Sequence, residues 1–288
     1  MPYTPVIKHL RSSDGHAIYA EAIGNLKNPH VILAHGLTLT AAAFNNLFED
    51  QRLLEKVYLV RYDLRGHGRS GMPSNPEGYA SSLFADDYAE VLRAFDVKNP
   101  IHVGWSYGCT VAADVCTHIT PNPIRGLVYL AALPYIGPIM GRVGTPTVLG
   151  FLPGLMNETD VALSCRTKVE FAESVFTHPE RVDFDLKASW IGQGALQPPS
   201  VTKLIATRAQ DPQKLLEAGQ NGLPMLVLNG TADKQVQGDV VVQEMKPYFK
   251  DMDVVMVEGG SHALFYEYQK ETVDALLKFV ERVVAKNP

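Results

Sequence analysis

Ser106 stands in the stretch IHVGWSYGCT, residues 101–110, with Gly104 and Gly108 two residues to either side. A short apolar run that breaks on G-x-S-x-G reads as a strand feeding straight into a helix. The turn between them is so sharp that its apex residue is driven toward positive φ, and the flanking glycines keep side chains from colliding there. The spacing thus sets a serine hydroxyl above the edge of a sheet. A hydroxyl is a poor nucleophile at neutral pH, so it needs a base, normally histidine, and that histidine needs a carboxylate to fix its tautomer and stabilise its charged form. Of the nine histidines, only His262, in EGGSH, follows the last predicted strand on a glycine-rich loop. The carboxylate belongs just beyond the preceding strand, where LNGTAD places Asp233. The plainer readings are an ordinary strand-to-helix turn at Ser106, a turn cap at Asp233 and a surface histidine at His262.

The elements that must position these groups are legible as alternating runs. Residues 6–10 and 16–23 are β-like and joined by Ser12-Ser13-Asp14-Gly15, which predicts an antiparallel hairpin. Unalternating apolar runs at 30–34, 57–61, 101–105, 125–133, 225–228 and 254–257 predict strands covered on both faces. Helical spacing lies between them, over 41–53, 81–95, 107–118 and 239–249, and closes the chain over 265–284. Strand, helix, strand in this order calls for a parallel sheet with right-handed crossovers. The regularity stops at Pro134. The interval to Gly222, about 90 residues where such connections usually have roughly 2 to 6, must carry structure of its own. Helical spacing at 160–176, 183–191 and 200–209 predicts a helical cap over the sheet, so the expected division is a core of 1–133 and 223–288 and a cap of 134–222.

At 288 residues, with 46% hydrophobic and 20% charged residues, the chain has the composition of a globular protein able to bury a full core. A net charge of −5 and the absence of any block of lysines and arginines give no reason to expect nucleic acid or an anionic membrane as partner. The N-terminal stretch has no basic segment followed by an apolar run, and nowhere do eighteen apolar residues follow one another. An intracellular, cytoplasmic protein acting on a small molecule is the expectation. Cys109 and Cys116 fall roughly 10 Å apart along one predicted helix, too far to bridge, and are expected as reduced core residues.

Five segments in order, His35-Gly36, DLRGHGRS at 63–70, the Ser106 turn, Gly230-Thr231-Ala232-Asp233 and Gly260-Ser261-His262, resemble those of the α/β-hydrolase fold superfamily, in its compact, capped form related to bacterial esterases and cofactor-free haloperoxidases. The resemblance covers nearly the whole chain, and the order Ser106, Asp233, His262 is that superfamily's. It implies a mostly parallel eight-stranded sheet flanked by helices, with the helical cap inserted after the sixth strand. It also implies an oxyanion hole from the backbone N–H groups of Leu37 and Tyr107, and no cofactor or metal. A single Gly36, where some lipases carry a glycine run, implies a modest acyl pocket. His35 and His67 are expected to hold loops, and Asp63, Arg65 and Arg69 to form a polar network that stabilises one. Trp105 is expected to pack beside the nucleophile and to border the pocket. The cap residues Phe151, Leu152, Leu155, Met156, Phe176, Trp190 and Ile191 face either a ligand or the cap's own interior.

The chemistry these residues predict is cleavage of a small carboxylic ester through an acyl-enzyme. Epoxide hydrolases and haloalkane dehalogenases share the fold but place an aspartate at the turn, so Ser106 argues against both. Carbon–carbon bond hydrolysis, lactone opening or perhydrolysis on the same triad, acyl transfer, and a ligand receptor that keeps the triad remain as alternatives, because loops and cap choose among them.

Overall fold

The computed structural model describes residues 3–286. Its centre is one eight-stranded sheet in the order β1-β2-β4-β3-β5-β6-β7-β8, with strands Val6–Arg11, Ala17–Ile23, His30–Ala34, Tyr58–Tyr62, Ile101–Trp105, Gly126–Leu130, Met225–Gly230 and Met252–Val257 numbered along the chain. β2 pairs antiparallel with both β1 and β4, and all remaining pairs are parallel. The hairpin, the parallel sheet and the eight strands are those expected. β3, β5, β6 and β7 are buried almost throughout, which is why they read as unalternating apolar runs. Each fully buried Val, Leu or Ile in them contributes about 1.5–3 kcal/mol relative to an exposed one. Two hydrophobic clusters cover the faces, one around Ile32, Tyr88, Tyr129 and Met225, the other around Val31, Phe44, Trp105 and Phe279.

Helices α1 (Asn45–Phe48) and α2 (Gln51–Lys56) replace the single helix expected over 41–53, because Asp50 caps the second with its side chain on Arg52 N and so breaks the run. α3 (Ser81–Ala94) follows the loop after β4. The segment after β5 begins as a 3₁₀ turn, Ser106–Thr110, and only then becomes α4 (Val111–His118).

Six helices lie between β6 and β7: α5 (Met140–Val143), α6 (Pro146–Leu155), α7 (Val161–Ser174), α8 (Phe184–Leu196), α9 (Pro199–Ala206) and α10 (Gln213–Gln220). α6 packs on α7 and α9, and α7 on α8, whereas α10 lies against α4. α11 (Gly238–Met245), α12 (Leu264–Glu267) and α13 (Gln269–Lys286) complete the chain. Cys109 and Cys116 are buried free thiols, and Cys165 is exposed. No described helix is long and apolar enough to cross a membrane.

Candidate active site

β5 delivers Ser106 to the top of the sheet with φ 53°, the only serine among the described non-glycine residues with positive φ. Its flanking glycines are required by contact. A Cβ on Gly108 would stand 2.0 Å from the Ala34 carbonyl oxygen of β3, and one on Gly104 would stand 2.4 Å from Cys109 Cα. The turn can thus press the start of the helix against β3 and against β5 itself, and Leu133 N donates to Ser106 O at 3.1 Å to tie the loop after β6 to it. Tyr107 N and Leu37 N have no hydrogen-bond partner among the described residues, and both residues line one cavity with Ser106.

Asp233 and His262 meet across the ends of β7 and β8. His262 Nδ1 donates to Asp233 Oδ2 at 2.9 Å and lies 3.1 Å from Oδ1, and both side chains are only 1% exposed. The carboxylate is held from its other side by Gln235 N at 2.7 Å and Val236 N at 3.0 Å, donated by the turn that it caps. The turn-capping reading and the orienting reading of Asp233 therefore describe one residue. With Nδ1–H committed to Asp233, Nε2 is left as the acceptor. Ser106 and His262 line the same small compartment, although no hydrogen bond joins Oγ to the ring among the described residues.

The loop carrying Leu37 is braced from three directions. His35 Nδ1 donates to Gly36 O at 2.8 Å while Nε2 accepts from Leu64 N at 2.9 Å. Asp63 accepts from Ala41 N at 2.9 Å, and from Arg69 N and Nε at 2.9 Å. Burial pushes the Asp63 carboxyl up, but the Arg69 hydrogen bonds and charge outweigh it and hold the carboxyl below its ordinary range. From the inserted helices, Gln193 Oε1 accepts from Thr40 N at 3.0 Å and from its hydroxyl at 2.9 Å. Thr38, between these anchors, is itself at φ 64°. Arg65 is fully buried and binds Asp87, Asp14 and Ser12. His67 packs edge-on to His35, and burial lowers it to about 3, so it is neutral.

Two spaces meet at Ser106. The larger, ≈ 70 Å³, is walled by Tyr107, Ile136, Met140, Leu149, Leu152 and Val236, among other apolar side chains. The smaller, ≈ 10 Å³, lies on the His262 side against Trp105, Thr38, Ala172 and Val175. Leu37, Ser106, Phe171 and Gln235 border both.

Of the seven cap residues named from the sequence, Leu152 lines the larger space and the others do not. Phe151 meets the Phe171 ring at 6.0 Å, Leu155 is buried, and Met156 and Ile191 are half-buried. Phe176 and Trp190 stack 5.1 Å apart in the core cluster beneath the helices, where Trp190 also meets Trp105 at 5.8 Å. Trp105 packs and anchors at once: its indole N–H donates to the His262 carbonyl at 2.9 Å while its ring borders the smaller space. Sequence reasoning missed Met140, Leu149 and Gln235. For Leu149 the signal was Thr145-Pro146, a side-chain cap followed by proline at the first helical position, which starts α6.

Tyr107 is held by a group from the far side. Arg208, just past α9, donates from Nε to Tyr107 Oη at 2.9 Å and forks onto both Asp114 carboxylate oxygens at 2.8 Å. Gln210 Nε2 adds a bond to the same carboxylate at 2.7 Å.

The chain is similar to known proteins along its length. Along the whole chain it is similar to a "Putative non-heme chloroperoxidase" of Synechocystis sp., 22% identical over 98% of this chain and 100% of that protein. Among solved structures, the esterase RhEst1 from Rhodococcus sp. ECU1013 superposes with a TM-score of 0.84 at 27% identity, over 96% of this chain and 99% of that one. A bromoperoxidase from Bacillus anthracis does so at 0.77 and 23%, over 96% and 100%, a likeness of fold. The model of the alpha/beta hydrolase family matches residues 31–275, a span that runs from β3 to α13 and takes in Ser106, Asp233 and His262, and the chain belongs to that family.

Proposed function

We propose that the protein is a serine esterase acting on small carboxylic esters, with Ser106 as nucleophile, His262 as general base and acid, Asp233 as its orienting carboxylate, and residues 134–222 as the cap. The observation that carries the reading is the Asp233–His262 hydrogen bond of 2.9 Å on loops that lean over the same compartment as Ser106. On substrate entry the Ser106 hydroxyl swings onto His262 Nε2, a contact that commonly tightens only in the substrate complex. Oγ attacks the ester carbonyl as Nε2 takes its proton, and the oxyanion settles on the N–H groups of Leu37 and Tyr107. One such donor is typically worth about 2.7–4 kcal/mol in the transition state. Collapse breaks the ester C–O bond, His262 returns the proton to the leaving alcohol, and water repeats the sequence to release the acid.

Fluorophosphonate labelling and hydrolysis of methyl butanoate test this. The wild type takes the label at Ser106, and Ser106→Ala lowers kcat by about 10⁴-fold or more with the fold intact; undiminished activity in that variant overturns the assignment. A second reading, transfer of the acyl group to hydrogen peroxide, is favoured by the full-length likeness to a protein named as a non-heme chloroperoxidase. Peracid release from acetate and peroxide at a rate exceeding ester hydrolysis decides for it.

A further inference from the structure

We propose that the two spaces divide the substrate unequally, so that the preferred esters join an extended apolar acyl chain to a very small alcohol such as methanol; this rests on the Ser106–His262 reading above. The chemistry fixes which side is which. When the tetrahedral intermediate collapses, the proton that left Ser106 Oγ passes from His262 Nε2 to the alcohol oxygen as the ester C–O bond breaks and the acyl C–Oγ bond remains. The leaving oxygen must therefore face His262, and the oxyanion must face Leu37 N and Tyr107 N. The alkyl part of the alcohol is directed into the His262 compartment and the acyl chain into the space beside Tyr107.

Those destinations differ in size. The His262 compartment is ≈ 10 Å³, at the lower limit for a single water molecule, about 10–15 Å³ on this measure. Apart from Leu37 and Ser106, which it shares with its neighbour, every residue around it is buried, Trp105, Ala172, Val175 and His262 included. The space beside Tyr107 is ≈ 70 Å³ and contains no ionisable wall residue other than the Tyr107 phenol, whose hydroxyl is turned to Arg208. Its outer wall, Leu133, Met140, Val148, Leu149 and Leu152, is half-exposed. Acyl chains longer than the cavity continue between these side chains toward solvent. The compartment beside His262 also suits the second half of the cycle, since the group that must occupy it for deacylation is one water.

Two ester series on the wild-type protein, followed by acid release, test the division. With butanoate as the acid, kcat/KM falls at least about tenfold from the methyl to the butyl ester, because a tight apolar pocket discriminates by that order per added group. With methanol as the alcohol, kcat/KM rises from acetate to butanoate and is retained at octanoate. Val175→Ala, which enlarges the His262 compartment, raises the butyl-to-methyl ratio by about tenfold, and the wild-type series decides even where this variant is unstable. Butyl and methyl butanoate turning over alike overturns the division while leaving the esterase reading intact. No hydrolysis of any ester together with no label at Ser106 overturns both.

Discussion

Asp233 accepts from two backbone N–H groups through one oxygen and from His262 mainly through the other, so an asparagine there has one good orientation. Its carbonyl oxygen keeps Gln235 N and Val236 N, and its NH₂ must face the imidazole. That forces His262 Nδ1 to accept and puts the proton on Nε2, where it faces Ser106 and cannot receive another. Asp233→Asn is therefore expected to lower kcat by about 10⁴-fold with little change in melting temperature, read by steady-state kinetics and thermal unfolding. An unchanged rate moves the carboxylate's role elsewhere. The three candidate residues were legible because each sits within a few residues of a strand end, where a short apolar run and a glycine mark the position. Gln235 was not, since its place between the two spaces follows from the direction of one turn rather than from its type.

The helices between β6 and β7 reach the site through single side chains, and the strongest of these ties is Arg208. It brings a buried cation to a buried carboxylate, Asp114, on the helix that follows Ser106. Removing one partner of such a pair strands the other in a low dielectric, so Arg208→Ala is expected to cost about 3–5 kcal/mol of stability, measured by urea unfolding; a loss under 1 kcal/mol refutes the tie. At this scale the sheet was readable and the cap only partly. α7, α8 and α9 announce themselves by apolar spacing, whereas α5 and α6, in MGRVGTPTVLGFLPGL, are so rich in glycine and proline that they look like a break. Tertiary burial of Val143 and Leu155 overrides that local preference. The aromatic cap residues were ambiguous for a related reason: Phe176 and Trp190 are apolar whether they face a ligand or a core, and they face the core.

Across the whole molecule, the fold encloses three neutral imidazoles. Burial lowers His67 to about 3 and His102 to about 4, and it lowers His35 as well. Their unfolded value is near 6.5, so between these limits the unfolded chain binds protons that the folded one refuses. The resulting stability is fully present above pH 6.5 and is lost as pH falls toward 4 and 3, with a slope of about 1.4 kcal/mol per pH unit for each imidazole. Asp63, held below its ordinary range, extends the loss to lower pH. The melting temperature is expected to fall steadily from pH 7 to pH 4.5, and a flat profile by calorimetry contradicts the burial. The chain has two tryptophans, and the structure puts Trp105 at the end of β5 and Trp190 on α8 with their rings 5.8 Å apart, both 1% exposed. All of the indole fluorescence thus originates at one seam, where α8 meets the end of β5. Separation of α8 from the sheet and detachment of the His262 loop that Trp105 holds each change the polarity around the same two rings, so the native emission spectrum is a label-free gauge of that seam.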